Sequence, residues 1–159
     1  MKNFKTELKW AFIFIASMLI WMLLEKWFGL HDEYIHLHQY ITMLYAIVAI
    51  AIYVLALRDK RKNYYKGKMT YKQGFKSGLI ITIIITIFSP MTQWIISEVI
   101  TPDYFENVIT HSVETGYYKT TEEAESNFNL KTYVIQSTIY AFVMGIVTTS
   151  IVAVFTRKK

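Results

Sequence analysis

The stretch Ser77–Ser97, SGLIITIIITIFSPMTQWIIS, runs for 21 residues without a charged side chain. A bilayer core about 30 Å thick needs about 20 helical residues at about 1.5 Å rise each, so this run is long enough to cross one. Two further stretches share the property: Gln39–Leu57 with 19 residues and Thr132–Thr156 with 25. The first apolar segment is less clean, because Trp10–Leu24 is interrupted by Glu25 and Lys26 and reaches spanning length only with Trp27, Phe28 and Leu30. Lys2, Lys5 and Lys9 ahead of it resemble the start of a secretory leader. The bulky residues Trp21–Leu24 and Trp27–Phe28 are poor cleavage neighbours, so it is read as a retained helix.

Charge orients these four segments. Lysine and arginine in short loops stay on the cytoplasmic side. One side collects Lys2, Lys5 and Lys9, then Arg58, Lys60, Arg61, Lys62, Lys66, Lys68, Lys72 and Lys76, then Arg157, Lys158 and Lys159, which is 14 of the 17 basic residues. Only Lys26, Lys119 and Lys131 fall on the other. That asymmetry requires an even number of crossings and predicts an all-α, polytopic membrane protein with four transmembrane helices and cytoplasmic termini. It is one membrane domain over 1–159, with spans near 9–30, 39–57, 74–100 and 131–156. The net charge of +5 thus belongs to a membrane face and gives no reason to expect nucleic acid. Arg58, Lys60, Arg61, Lys62, Lys66 and Lys68, interleaved with Tyr64, Tyr65 and Tyr71, are expected to contact anionic lipid headgroups.

The outer segment 101–130 is acidic, with Asp103, Glu106, Glu114, Glu122, Glu123 and Glu125 against Lys119. Thr101 as N-cap with Pro102 behind it, and the helical spacing of Tyr104, Phe105, Val108, Ile109 and Val113, predict an amphipathic helix that Gly116 ends. Thr120 with Glu123 reads as a capping box for a second. Thr70 with Gln73 reads as another, at the start of the third span.

Helices in lipid associate through close backbone approach and interhelical hydrogen bonds, so small residues mark contacts. Gly74, Gly78, Thr82 and Thr86 recur every four residues on the third span, and Ser137, Ala141, Gly145, Thr149 and Ala153 on the fourth. Face-to-face packing of these two spans is expected; a homodimer or a second membrane protein using one stripe is the alternative. Pro90 removes an amide hydrogen and predicts a kink in the third span.

Polar residues in the outer half suggest a cluster of Glu25, Gln93, Gln136 and Tyr140. Glu25 reads either as a proton or cation site facing those groups, or as a near-interface carboxylate that snorkels beside Lys26 or pairs with Lys131. The loop between the first two spans carries His31, Asp32, Glu33, His36 and His38. That clustering invites a metal reading, but it matches no HExxH pattern, and a solvated loop without metal is expected. Zero cysteines exclude thiolate sites and disulfides. Without a nucleotide loop, a nucleophile–base pair or a metal-ligand quartet, no catalytic residue and no cofactor are expected.

Several short motifs carry a resemblance. They are Glu25-Lys26, Leu30-His31-Asp32-Glu33, Tyr53 to Lys60 (YVLALRDK), Met69 to Phe75 (MTYKQGF), Ser89-Pro90, Ile100 to Phe105 (ITPDYF) and Phe128-Asn129-Leu130-Lys131. With these the chain resembles, over its full length, the bacterial membrane proteins of domain-of-unknown-function family 4199, found mainly in Bacteroidota. The resemblance implies a four-helix protein of the inner membrane and transfers no activity, cofactor or catalytic residue. The functional expectation is therefore a non-catalytic scaffold or subunit acting through helix contacts. A small oligomeric ion or proton pathway using Glu25 and the Pro90 break is the alternative, and lipid handling a third.

Overall fold

The computed structural model describes residues 4–158; Lys2 and Lys159, both counted above with the basic side, lie outside the described residues. Four stretches are long and apolar enough to cross a membrane. They are α1 (Lys5–Trp27), the near-continuous pair α2 (Ile35–Met43) and α3 (Tyr45–Asn63), α4 (Tyr71–Trp94) with the π-helix that extends it (Ile95–Ile100), and α7 (Leu130–Thr156). Between the last two lie α5 (Tyr104–Glu114) and α6 (Thr121–Asn127). The chain is thus a multi-pass, all-α bundle with a helical segment between its last two spans.

Local chemistry sets the boundaries. The Thr70 side chain accepts from the Gln73 amide, and Gln73 Oε1 accepts from the Thr70 amide at 2.8 Å, a complete capping box at the start of α4. Asn129 Oδ1 caps α7 by accepting from the Thr132 amide at 2.9 Å. Gly116, at φ +72°, takes the left-handed conformation that ends α5. The start of α5 departs from expectation. Its first residue is Tyr104 with Asp103 as N-cap, while Thr101 is buried and its hydroxyl donates to the Ile96 carbonyl at 2.9 Å. Thr101 therefore closes the preceding π-helix, whose last bond runs from its own amide to the same carbonyl.

Pro90 likewise does not break its helix. The α-helical ladder continues to Trp94 and widens only at Ile95. On either side the Thr86 and Thr92 hydroxyls donate to the Thr82 and Phe88 carbonyls.

α4 is central: it packs on α7, α1 and α3. Its main contact is the small-residue seam. Gly74 faces Ala153, Gly78 faces Thr149, and Gly145 faces Thr82, with Thr82 and Thr149 fully buried. A methyl group at Gly78 would come within 2.6 Å of Thr149, so the two backbones are as close as these residue types allow. Hydrogen bonds join the other spans: Tyr53 to Thr82 at 2.8 Å, Ser17 to Tyr45 at 2.9 Å, and Trp10 to Asp59 at 2.7 Å. Ile83, Ile87, Ile139, Ile151 and Phe155 face outward, as a lipid-exposed surface requires.

The basic end of the bundle is tied internally. Lys60, expected at the headgroups, is instead buried, with Nζ 2.9 Å from both carboxylate oxygens of Glu7; Ser77 donates to the same carboxylate at 2.7 Å. A carboxylate on the inner face of α1 offsets the cost of turning the lysine inward, which a loop-by-loop count of charge does not register. Arg61 donates to the Thr156 carbonyl, and Met69 and Lys158 exchange two backbone bonds of 2.8 Å. Arg58, Lys62, Lys66 and Lys68 remain exposed.

Two stability tests follow from these contacts. Gly78→Ala is expected to cost about 1–3 kcal/mol by overpacking the seam, and Thr149→Ala, which removes the obstructing side chain and a buried hydroxyl without a partner, to restore most of it. Reversible unfolding in mixed micelles measures both; simple additivity of the two changes would refute the contact. Lys60→Met is expected to cost about 3–5 kcal/mol by leaving Glu7 buried and unpaired, and the Glu7→Gln, Lys60→Met double variant to recover much of the loss.

Candidate functional site

At the end of α1 opposite Glu7, about 27 Å along the helix, sits a second buried carboxylate. Glu25 is 2% exposed. Seven residues of turn, Phe28–Tyr34, reverse the chain so that the first turns of α2 return beside the last turn of α1. Gly29 takes φ +71° to allow the reversal, and its carbonyl accepts from the Asp32 and Tyr34 amides. The hairpin delivers two imidazoles to one carboxylate oxygen. His31 Nε2 lies 3.3 Å from Glu25 Oε2, and His38 Nδ1 lies 3.3 Å from the same atom. The other oxygen, Oε1, accepts from the Trp21 indole at 2.5 Å, one helical turn earlier.

α5 closes the cluster from outside. The Tyr104 ring packs edge-on against His31, with centroids 5.5 Å apart, and tilted against His38 at 5.2 Å. The two imidazoles are themselves 4.8 Å apart. Asn107 donates to the His31 carbonyl at 3.0 Å, so α5 holds the backbone of the hairpin as well as its side chains. Burial pushes the Tyr104 phenol well above its ordinary value, helped by the neighbouring Tyr133 hydroxyl 3.4 Å away, and keeps the wall uncharged. Behind Tyr104 a chain of ring contacts through Phe105, Tyr133, Phe128 and Tyr118 joins α5, the α6 end and α7.

The donor set is a carboxylate and two imidazoles whose ligand atoms all lie within 4.8 Å of one another. His31 Nδ1 and His38 Nδ1 are buried and have no hydrogen-bond partner among the described residues. Buried polar atoms nearly always have partners, so these two mark the cluster as unsatisfied.

The polar layer suggested by the sequence is not assembled. Gln93 donates to Ser97 Oγ on its own helix at 3.1 Å, while Gln136 and Tyr140 face outward, Tyr140 with 66% of its surface exposed. Glu25 neither snorkels past Lys26 nor reaches Lys131, because the hairpin histidines and Trp21 surround it. His31 and His38, expected in a solvated loop, are the groups the structure brings to Glu25 instead. Their separation of seven residues, two helical turns, looks unremarkable on one helix. The signal lay in their reaching a carboxylate across a hairpin, and His38 becomes available because α2 starts at Ile35, four residues before the charge-free run.

A second recess lies at the basic end, a cavity of about 210 Å³ lined by Glu7, Lys60, Tyr64, Tyr65, Lys76 and Ser77. It adjoins a larger apolar groove of about 430 Å³ through the shared Phe4 and Ile80.

No curated protein and no solved structure matches the chain. Residues 9–158 match the family described as "Protein of unknown function (DUF4199)", and the protein, a four-span bundle with a capped carboxylate–imidazole cluster at one end, belongs to that family.

Proposed function

We propose that the protein is a non-catalytic scaffold or subunit of the bacterial inner membrane, with both termini cytoplasmic, that holds a rigid acidic cap over the outer end of a closed bundle. The observation that carries this reading is the docking of α5: Tyr104 packs against both hairpin imidazoles and Asn107 bonds the His31 backbone. Asp103, Glu106, Glu114, Glu122, Glu123 and Glu125 all point outward from that docked cap, so it presents a fixed anionic surface. The orientation rests on the crowding of lysine and arginine at the opposite end. There the exposed Arg58, Lys62, Lys66 and Lys68 meet anionic lipid headgroups.

The α4 and α7 stripes face each other within one chain, so a second copy or a membrane-protein partner docks elsewhere, on the cap or on the outward apolar face. An ion pathway through a single protomer is not favoured. Glu25 is enclosed by Trp21, His31 and His38, α4 is closed on α7, and the helix runs unbroken through Pro90.

Reporter fusions at the two ends are expected on the same, cytoplasmic side; opposite sides would overturn the topology. In nanodiscs, Asn107→Ala is expected to raise amide exchange across 104–114 by about fivefold, the loss of roughly 1 kcal/mol of docking. Exchange in the unaltered cap as fast as in a free peptide would sink the rigid-cap reading. Crosslinking in native membranes should capture an oligomer or a partner, and monomer alone would remove the scaffold role.

A further inference from the structure

We propose that Glu25, His31 and His38 form a binding site for a divalent first-row transition-metal ion, with zinc the best match. The donor chemistry fits: two neutral imidazoles and one carboxylate are borderline ligands suited to zinc and its neighbours, and unsuited to calcium or magnesium, which take oxygen.

The distances separate a metal site from a simple hydrogen-bonded cluster. An imidazole that donates to a carboxylate in a charge-assisted bond sits about 2.7–2.9 Å from it. Both Glu25–imidazole separations are 3.3 Å, and the His38 nitrogen lacks hydrogen-bond alignment altogether. Ligands held about 2.0–2.1 Å from a tetrahedral zinc lie about 3.3 Å from one another. Two edges of the coordination tetrahedron are therefore already at their bonded length. The third, between the imidazoles, lies within 4.8 Å, and rotation of the rim residue His38 can close it.

The surroundings orient the carboxylate and the hairpin, while His31 Nδ1, the ring nitrogen that does not face Glu25, has no partner among the described residues. Trp21 holds Oε1 and so turns Oε2 toward the imidazoles, Asn107 fixes the His31 backbone, and Tyr104 walls the outer side with an uncharged ring. Three protein ligands leave a fourth position for water or for a group brought by a partner. A cation here would also give the buried His38 Nδ1 the electron-pair acceptor it lacks. His36, exposed on the same hairpin, and His111 on α5 belong to no such grouping among the described residues.

The site can be tested on the full chain, purified without a polyhistidine tag, stripped with chelator, placed in nanodiscs and titrated with Zn²⁺ or Co²⁺. One ion per chain is expected for the unaltered protein and for His36→Ala. The Co²⁺ form should show the intense visible bands of four-coordinate nitrogen–oxygen ligation. His38→Ala, at the rim, and Glu25→Gln are each expected to weaken binding by at least about tenfold. Unchanged affinity in both variants would overturn the proposal, as would Zn²⁺ binding by the unaltered chain no tighter than by a His31→Ala, His38→Ala double variant of the same elution volume. Co²⁺ held with six-coordinate spectra would overturn the zinc-like geometry. Absence of metal binding by the unaltered chain would leave the cap's own amide exchange as measured without metal, so the two readings fail separately.

Discussion

Everything else in the bundle is arranged around the backbone contact between α4 and α7. Surrounding lipid is as apolar as the helices, so hydrophobic exclusion does not drive these spans together, and close contact must come from shape and hydrogen bonding. Gly78 against Thr149 and Gly145 against Thr82 supply the shape, a reciprocal pairing in which each helix offers a groove where the other offers a small knob. The same Thr82 then accepts the Tyr53 contact from α3 and donates to the Gly78 carbonyl. One small polar residue thus links three features of the core: the seam, the third helix and the helix backbone. α1 packs against the α3–α4 side of this unit.

α1 carries an acidic residue toward each end, and both are buried. The solutions differ. Glu7 is matched by a full charge from Lys60 and a hydroxyl from Ser77, three groups from three helices, so the basic end is locked by an ion pair that satisfies both carboxylate oxygens. Glu25 is matched by an indole and two imidazoles that lie too far away for strong hydrogen bonds. Burying a carboxylate among partly satisfied neighbours is costly, and such sites persist where a further ligand completes them. The contrast within one helix, with the same residue type and a similar degree of burial, is why the cluster at Glu25 reads as a site and the one at Glu7 as a structural clamp.

Much of this architecture was legible in the sequence because it depends on local patterns. Charge-free runs located the spans, the Thr70 and Gln73 spacing located the α4 start, and four-residue recurrence of Gly, Ser, Thr and Ala located the seam. Each is a property of one helix read at its own period. The misreadings share the opposite feature. Lys60 looked like an interfacial cation because its partner lies 53 residues earlier. His31 and His38 were expected to be solvated because the carboxylate and the ring they pack against come from α1 and α5. Thr101 was read as the cap of α5, and in the folded chain it instead ends the π-helix that extends α4. Glu25 was singled out and is buried, but its neighbours were sought at the same depth on α4 and α7, while the nearest donors came from Trp21 and its own hairpin.

That hairpin also explains why the cap and the cluster belong together. Glu25 sits near the end of its span, where solvent would reach it if nothing lay above. Tyr104 packs over the imidazoles beside it, and α5 is positioned in turn by the carbonyl of His31, one of the residues it covers. Lifting α5 would therefore wet the carboxylate and release the His31 backbone in one step, while drawing the two imidazoles closer to Glu25 would move the surface on which Tyr104 rests. Any ligand that bridges Glu25, His31 and His38 must then change how firmly the acidic outer helix is seated. Coupling between the two ends of that chain of contacts needs no long-range pathway, because each group touches the next.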